Sequence, residues 1–186
     1  VPKGYEKKLA ANLAQAIHEN DYSLDFGFIG SAVVPQVLSD YGYNDVMYKI
    51  INKTTLPSYG YWIEKWKATS LFEAWDITKN IGDASLNHPS MGSVSAWMMK
   101  SLAGINIASD AIAFEKIVIK PSFIKDLNFV KASHKSIKGV VVSEWERKGK
   151  MIELDVVIPE NTKALIVLPN KEVLVGAGKH RFEVQY

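Results

Sequence analysis

Near Phe114 the apolar residues of this chain change their spacing, and that change demands two differently built parts. Before it, hydrophobic residues recur every third or fourth position, the period of a helix with one buried stripe. After it they alternate, the period of a strand with one buried face. The expected fold class is therefore α+β with its parts separated in sequence. Residues 1–113 are expected to form packed helical hairpins, and residues 114–186 an antiparallel β-sandwich.

In the first part, Leu9, Leu13 and Ile17 beside Ala10, Ala14 and Ala16 predict an amphipathic helix over residues 5–18. A second helix is expected from Ser31 to about Tyr41, with Pro35 tolerated only near its first turn and Gly42 beyond its end. Asn44 is placed to cap a third, whose buried face is Val46, Met47, Ile50 and Ile51. Leu56 to Trp62 reads as an aromatic loop, and residues 70–76 as a short helix. Pro89 then suits a first helical position, Met91, Val94, Met98 and Leu102 form a stripe, and Gly104 marks the stop. Trp66 and Trp97 are expected in the inter-helix core.

In the second part, Ile117 and Ile119 alternate with Val118 and Lys120, and Val140 to Trp145 is β-branched and aromatic. Ile152, Leu154, Val156 and Ile158 share one face, with Glu153 and Asp155 on the other. Arg147 to Lys150 reads as the hairpin turn between those runs. Further strands fit residues 164–168, 171–175 and 181–186, and Trp145 is expected to fill the sandwich.

Composition excludes several function classes. The 186 residues are 47% hydrophobic and 23% charged, ordinary for a globular protein. With 22 basic and 20 acidic residues interspersed, charge gives no ground for a nucleic-acid partner or an anionic membrane surface. No apolar run is long enough to span a bilayer. Cysteine is absent, which removes disulfides, thiolate metal sites and cysteine nucleophiles. His18, His88, His134 and His180 are too scattered for a metal site, and no cofactor is implied. The chain opens on Val1-Pro2-Lys3-Gly4-Tyr5, without an initiator Met or the apolar core of a signal peptide. A removed leader or a piece of a longer chain is expected, with a periplasmic or secreted location favoured over the cytoplasm.

Several motifs then occur in order. Leu24-Asp25-Phe26-Gly27-Phe28-Ile29-Gly30-Ser31 is followed by Pro57-Ser58-Tyr59-Gly60-Tyr61-Trp62 and by Ala68-Thr69-Ser70-Leu71-Phe72-Glu73-Ala74-Trp75-Asp76. Ser85-Leu86-Asn87-His88 comes next, with Gly92-Ser93-Val94 and Trp97, and Val157-Ile158-Pro159-Glu160-Asn161-Thr162 closes the series. Together they resemble the bacterial α-L-rhamnosidases. Lys67 stands where that family usually has Gly, Ser70 where it has Thr, and Phe72 where it has Trp. The resemblance implies the last helices of an (α/α)6 barrel followed by a C-terminal β-sandwich. It also implies that the barrel's earlier helices, with the acid carboxylate, belong to a missing N-terminal part of the same protein.

The chemistry centres on Glu73. Glycoside hydrolysis needs two carboxylates, one protonating the leaving oxygen and one activating water. The resemblance implies an inverting enzyme acting on a rhamnose-containing carbohydrate, with Glu73 as general base and His88 touching the sugar. From the residues alone, Ser70-Leu71-Phe72-Glu73 reads first as a capping box, in which Ser70 and Glu73 bond each other's backbone, and the surrounding motifs turn the reading toward the base. Aromatic faces cover the C–H side of a pyranose, so Tyr61, Trp62 and Trp75, with Tyr59, are candidate substrate contacts. Asp76 is a second carboxylate candidate, and Asn87 a structural hydrogen-bonder. A non-catalytic carbohydrate-binding or structural module is the alternative function. Half a barrel also exposes an apolar face, so self-association of the fragment is expected.

Overall fold

The computed structural model describes residues 2–23, 26–79 and 82–185. Leu24 and Asp25, which head the first family motif, and Tyr186, the end of the last expected strand, lie outside the described residues. The chain divides into two compact units, Val1–Trp97 and Met98–Tyr186.

The first unit is helical. Helix α1 (Glu6–Glu19) buries Ala10, Ala14 and Ile17. Leu9, expected inside, is 43% exposed, and Ala16 is exposed as well. Helix α1 meets α2 and α3, and its buried stripe runs along the alanines at 10 and 14 to Ile17.

Helix α2 (Phe28–Asp40) begins three residues before its expected start, which moves Pro35 out of the first turn and into the interior. A proline there has no N–H for the carbonyl four residues back. That carbonyl belongs to Ser31, and the Ser93 hydroxyl donates to it at 2.7 Å. A side chain 62 positions away thus supplies the missing donor. The helix ends as expected at Gly42, whose φ of 85° admits the left-handed turn. The Gly42 N–H donates to the Ser39 carbonyl at 3.1 Å and the Tyr43 N–H to the Leu38 carbonyl at 2.7 Å, the paired bonds of a Schellman turn.

Helix α3 (Asn44–Asn52) buries Met47 and Ile50 fully, with Val46 and Ile51 half-buried. Asn44 is its first residue and not its cap. The Schellman turn leaves Tyr43 at the cap position, and Asn44 Oδ1 instead accepts from the Ser39 hydroxyl at 2.6 Å. The same hydroxyl accepts from the Trp97 indole N–H at 2.7 Å, which anchors Trp97 in the core as expected.

The expected aromatic loop is in fact helix α4 (Tyr59–Trp66). Ser58 caps it, its hydroxyl accepting from the Tyr61 N–H at 2.9 Å. A Cβ at Gly60 would lie 2.4 Å from the Lys53 carbonyl oxygen, so the approach of α4 to the end of α3 requires glycine. Trp66, expected in the core, is 40% exposed. The expected helix over residues 70–76 does not form. A 3₁₀ turn, Pro89–Gly92, leads into α5 (Ser93–Trp97), burying Met91, Val94 and Trp97.

The second unit opens with a π turn, Met98–Leu102. Its wider i→i+5 bonding, with the Ala103 N–H donating to the Met98 carbonyl at 3.0 Å, breaks the 3.6-residue phase behind the expected stripe. Leu102 is buried but Met98 is 43% exposed. Among the described residues eight strands follow: β1 (Ile105–Ile107), β2 (Lys116–Ile119), β3 (Phe129–Ser136), β4 (Gly139–Lys148), β5 (Met151–Ile158), β6 (Lys163–Leu168), β7 (Lys171–Val175) and β8 (Gly178–Gln185). They form two four-stranded sheets, ordered β1-β2-β6-β7 and β3-β4-β5-β8. All pairs are antiparallel except β2 with β6. The β4–β5 hairpin turns at Gly149-Lys150, between registered partners Lys148 and Met151.

The inward faces make one core. Ile152, Leu154, Val156 and Ile158 are all buried on one side of β5, as their alternation requires. Trp145 is 1% exposed. Its indole N–H donates to the Leu102 carbonyl at 3.2 Å, and the Phe123 ring meets it edge-on at 5.5 Å. The buried Ser143 hydroxyl donates to the Ala103 carbonyl at 2.6 Å, so no polar group on this face of β4 is stranded. Among the described residues, no helix is long and apolar enough to cross a membrane.

Candidate active site

The candidate residues lie in the first unit: Tyr61 and Trp62 on α4, and Glu73, Trp75 and His88 between α4 and the 3₁₀ turn, where the described residues 67–79 and 82–88 form no helix or strand. Two short segments there pair antiparallel. The Ser70 hydroxyl donates to the Leu86 carbonyl at 2.6 Å, and the His88 N–H to the Leu71 carbonyl at 2.7 Å. The Glu73 N–H donates to the Ser85 carbonyl at 2.9 Å. The Ser85 N–H returns to Glu73 Oε2, also at 2.9 Å.

This pairing overturns the capping-box alternative. Ser70 and Glu73 do not bond one another; each turns to a partner in residues 85–88 instead. A capping box closes only if a helix starts there, and four contacts to a distant segment hold the backbone in a non-helical path. Glu73 is half-buried and lines an open pocket of about 250 Å³ with Ala74, Asp83 and Ala84. The Ser85 amide pins one carboxylate oxygen. The other, Oε1, takes no hydrogen bond from the described residues.

Asp76 is differently placed. Its Oδ1 accepts from both the hydroxyl and the N–H of Thr78, at 2.5 and 3.1 Å, and Lys79 lies 3.6 Å from Oδ2. The Thr78 hydroxyl bond, above all, holds this carboxyl below the usual carboxylate range. Asp76 therefore closes a local turn, with its acceptor oxygens turned toward residues 78 and 79.

The aromatic candidates converge on Trp75. Trp62 stacks against it at 4.6 Å and 17°, and Tyr59 meets it edge-on at 5.1 Å. The Trp75 indole N–H donates to the Phe26 carbonyl at 2.8 Å, while the Trp62 indole N–H donates to the Trp75 carbonyl at 2.9 Å. Trp62 is only 1% exposed, and Phe72 is buried against its ring. Trp75 is half-buried, so it can offer an edge or face while its N–H stays engaged. The Tyr59 hydroxyl donates to the Met91 carbonyl at 3.2 Å, and burial pushes this phenol up. Tyr59 and Trp62 also line a second pocket, of about 190 Å³, with Ile63 and residues 68–71. Tyr61 is half-buried in the first turn of α4. No ring contact or side-chain hydrogen bond joins it to this group among the described residues.

His88 sits at the mouth of the 3₁₀ turn, its carbonyl accepting from the Met91 N–H at 3.1 Å. Its Nδ1 is buried and has no hydrogen-bond partner among the described residues. Such an atom is a buried polar group whose hydrogen-bonding capacity is unused. The ring leans on Phe28 at 5.4 Å, a neighbour sequence reasoning did not name. It also missed Ser85, whose backbone orients Glu73, and Asp83, which shares the Glu73 pocket. Ser85 lies inside a quoted motif, but only the pairing reveals its partner. No hydrogen bond joins Glu73 to His88. Among the described residues no three His, Asp or Glu side chains gather to hold a metal ion.

Comparison with known proteins supplies the context. Residues 1–102 match the bacterial alpha-L-rhamnosidase 6 hairpin glycosidase domain, and residues 104–183 the bacterial alpha-L-rhamnosidase C-terminal domain. An alpha-L-rhamnosidase of Streptomyces avermitilis is 30% identical over 99% of the chain, which covers 20% of that protein. One of Formosa agariphila is 34% identical over 84% of the chain, or 17% of that protein. The crystal structure of an Aspergillus terreus α-L-rhamnosidase superposes on 98% of the chain and 22% of its own, with a TM-score of 0.89 at 29% identity. The S. avermitilis enzyme, solved in complex with L-rhamnose, superposes on the whole chain and 20% of its own, with a TM-score of 0.88 at 29% identity. The chain thus spans about a fifth of the length of the relatives it matches.

Proposed function

Because this chain belongs to the bacterial α-L-rhamnosidase family, we propose that it is the C-terminal part of a glycoside hydrolase removing terminal α-L-rhamnosyl residues from glycans or glycosides. The arrangement at Glu73 carries the reading. One carboxylate oxygen is pinned by the Ser85 amide and the other is open beside a pocket, as a base oriented toward a water molecule requires.

The reaction is inverting. Glu73 takes a proton from water as the water oxygen bonds to the anomeric carbon, on the face opposite the leaving group. The bond from that carbon to the glycosidic oxygen breaks, and a carboxylic acid on the preceding part of the protein protonates the departing oxygen. The two carboxylates then stand roughly 6.5–9.5 Å apart, with the water between one of them and the sugar. His88, Tyr61 and Trp75 form the sugar-binding side of the site, and Trp62, buried behind Trp75, supports it from within. One carboxylate cannot serve as acid and base together in this scheme, so the isolated chain is inactive.

The rest of the protein is then the chain's principal partner, beside its rhamnose-containing carbohydrate. On α2, Ile29 is 70% exposed and Val33 53%, an apolar face suited to cover by the preceding helices. The chain alone therefore self-associates, and sedimentation velocity checks this; a monomer at all concentrations would contradict it.

The test of the activity is proton NMR of the whole protein acting on an aryl α-L-rhamnoside. The β-anomer of rhamnose is expected to appear first and then mutarotate. Initial release of the α-anomer would overturn inversion, and no release would overturn the substrate.

A further inference from the structure

We infer that Ser70 is a positioning residue for Glu73, acting through the Leu86 carbonyl as a clasp between the two paired segments. The inference rests on the proposed role of Glu73 as base. Four hydrogen bonds hold residues 70–73 to 85–88, and three involve the backbone of Glu73, Ser85 or His88 themselves. The fourth comes from the Ser70 hydroxyl, which touches neither Glu73 nor His88 yet grips Leu86 at 2.6 Å. Leu86 is the residue after Ser85, whose amide pins Glu73 Oε2, and two residues before His88. Fixing its carbonyl therefore sets the register of both groups at once.

The chemistry needs only a hydroxyl donor at this position. Threonine carries the same donor on the same atom. Its extra methyl has room, because Ser70 lines the pocket of about 190 Å³ beside Tyr59 and Leu71. Alanine removes the donor and leaves the Leu86 carbonyl without it.

The experiment compares Ser70→Ala and Ser70→Thr in the whole protein. Amide hydrogen exchange is read at Glu73, Ser85 and His88, and steady-state kinetics are measured on an aryl α-L-rhamnoside. With S70A, exchange at the three amides is expected to rise up to about tenfold, the weight of one hydrogen bond of this class. The kcat falls about tenfold to a hundredfold, as for a catalytic group displaced by a fraction of an ångström to an ångström, while KM moves less than about twofold. S70T behaves as wild type on both measures. Unchanged exchange in S70A, or an S70T variant as loose as S70A, overturns the clasp. If wild type cleaves no rhamnoside, the proposed substrate fails, while the exchange data still decide whether Ser70 holds the segment.

Discussion

Removing the hydroxyl of Ser93 isolates the contact that permits a proline in the middle of α2. Ser31, whose carbonyl that hydroxyl serves, is 1% exposed, and the bond is 2.7 Å long. The loss of a partner from a buried carbonyl costs about 1–3 kcal/mol. Ser93→Ala should therefore lower the stability of the helical unit by that amount. The cost has a specific remedy. Pro35→Ala restores an N–H four residues beyond Ser31, so in that background the carbonyl already has an intrahelical donor. Ser93→Ala should then cost less than about 0.5 kcal/mol, a coupling of about 1–2 kcal/mol between residues that do not bond each other. Urea denaturation of the four proteins in the cycle, followed by helical circular dichroism, gives the values if the m-values agree. An equal cost of Ser93→Ala in both backgrounds would refute the reasoning, because the carbonyl would then be indifferent to its donor.

Two further outcomes follow from local geometry. Lys67 ends α4 in the left-handed region at φ 51°. The Cβ strain there is about 1–2 kcal/mol, partly offset by the freedom glycine gains when unfolded. Lys67→Gly should thus stabilise the protein by about 0.5–1 kcal/mol, and a loss in the same urea assay would contradict this. Arg181 grips Asp155 with two bonds of 2.7 and 2.8 Å, and this hydrogen bonding, with the guanidinium charge, holds the Asp155 carboxyl below its ordinary value of 3.8. A carboxyl lowered by folding contributes stability above its unfolded value and loses it as pH falls through the folded one. Asp155→Asn should therefore be less stable than wild type at neutral pH, by a small, salt-sensitive amount because both side chains are partly exposed, and the gap should close as pH falls through 3.8 and then the lowered folded value. A gap that persists at low pH would rule the ion pair out as its cause.

How much of this was legible depends on how local each determinant is. The stripe of β5 and the stop of α2 at Gly42 are written in neighbouring residues, and the structure contains both. Strand β3 was missed because its inward positions are Val130, Ala132 and His134, too weakly apolar to register as alternation. It lies at a sheet edge, where Lys131 and Lys135 suit solvent better than a neighbour. The parallel pairing of β2 with β6 depends on a crossover that no local pattern records. Helix α4 hid behind Tyr59-Gly60-Tyr61, residues of modest helix propensity whose glycine answers to the Lys53 carbonyl.

The candidate site shows the same division more sharply. Glu73 and His88 were named from motifs, and the segments carrying them do meet, through Leu71, Ser85 and Leu86. The local signal at Ser70-Leu71-Phe72-Glu73 pointed to a helix start, since serine and glutamate at that spacing can satisfy each other. Residues 85–88 offer both side chains a partner of equal chemistry, and tertiary pairing prevailed. Trp62 was legible as an aromatic candidate, but its burial beneath Trp75 follows from the packing of α4 and was not.

The central claim is that the free oxygen of Glu73 takes a proton from water. The most direct measurement is kcat of the whole protein on an aryl α-L-rhamnoside, wild type against Glu73→Gln, with the fold checked by circular dichroism. Glutamine can still accept from the Ser85 amide through its carbonyl oxygen, so the segment stays in place while the base is lost. The account predicts a fall of about 10²–10⁴-fold. A Glu73→Gln protein that cleaves at the wild-type rate would contradict it.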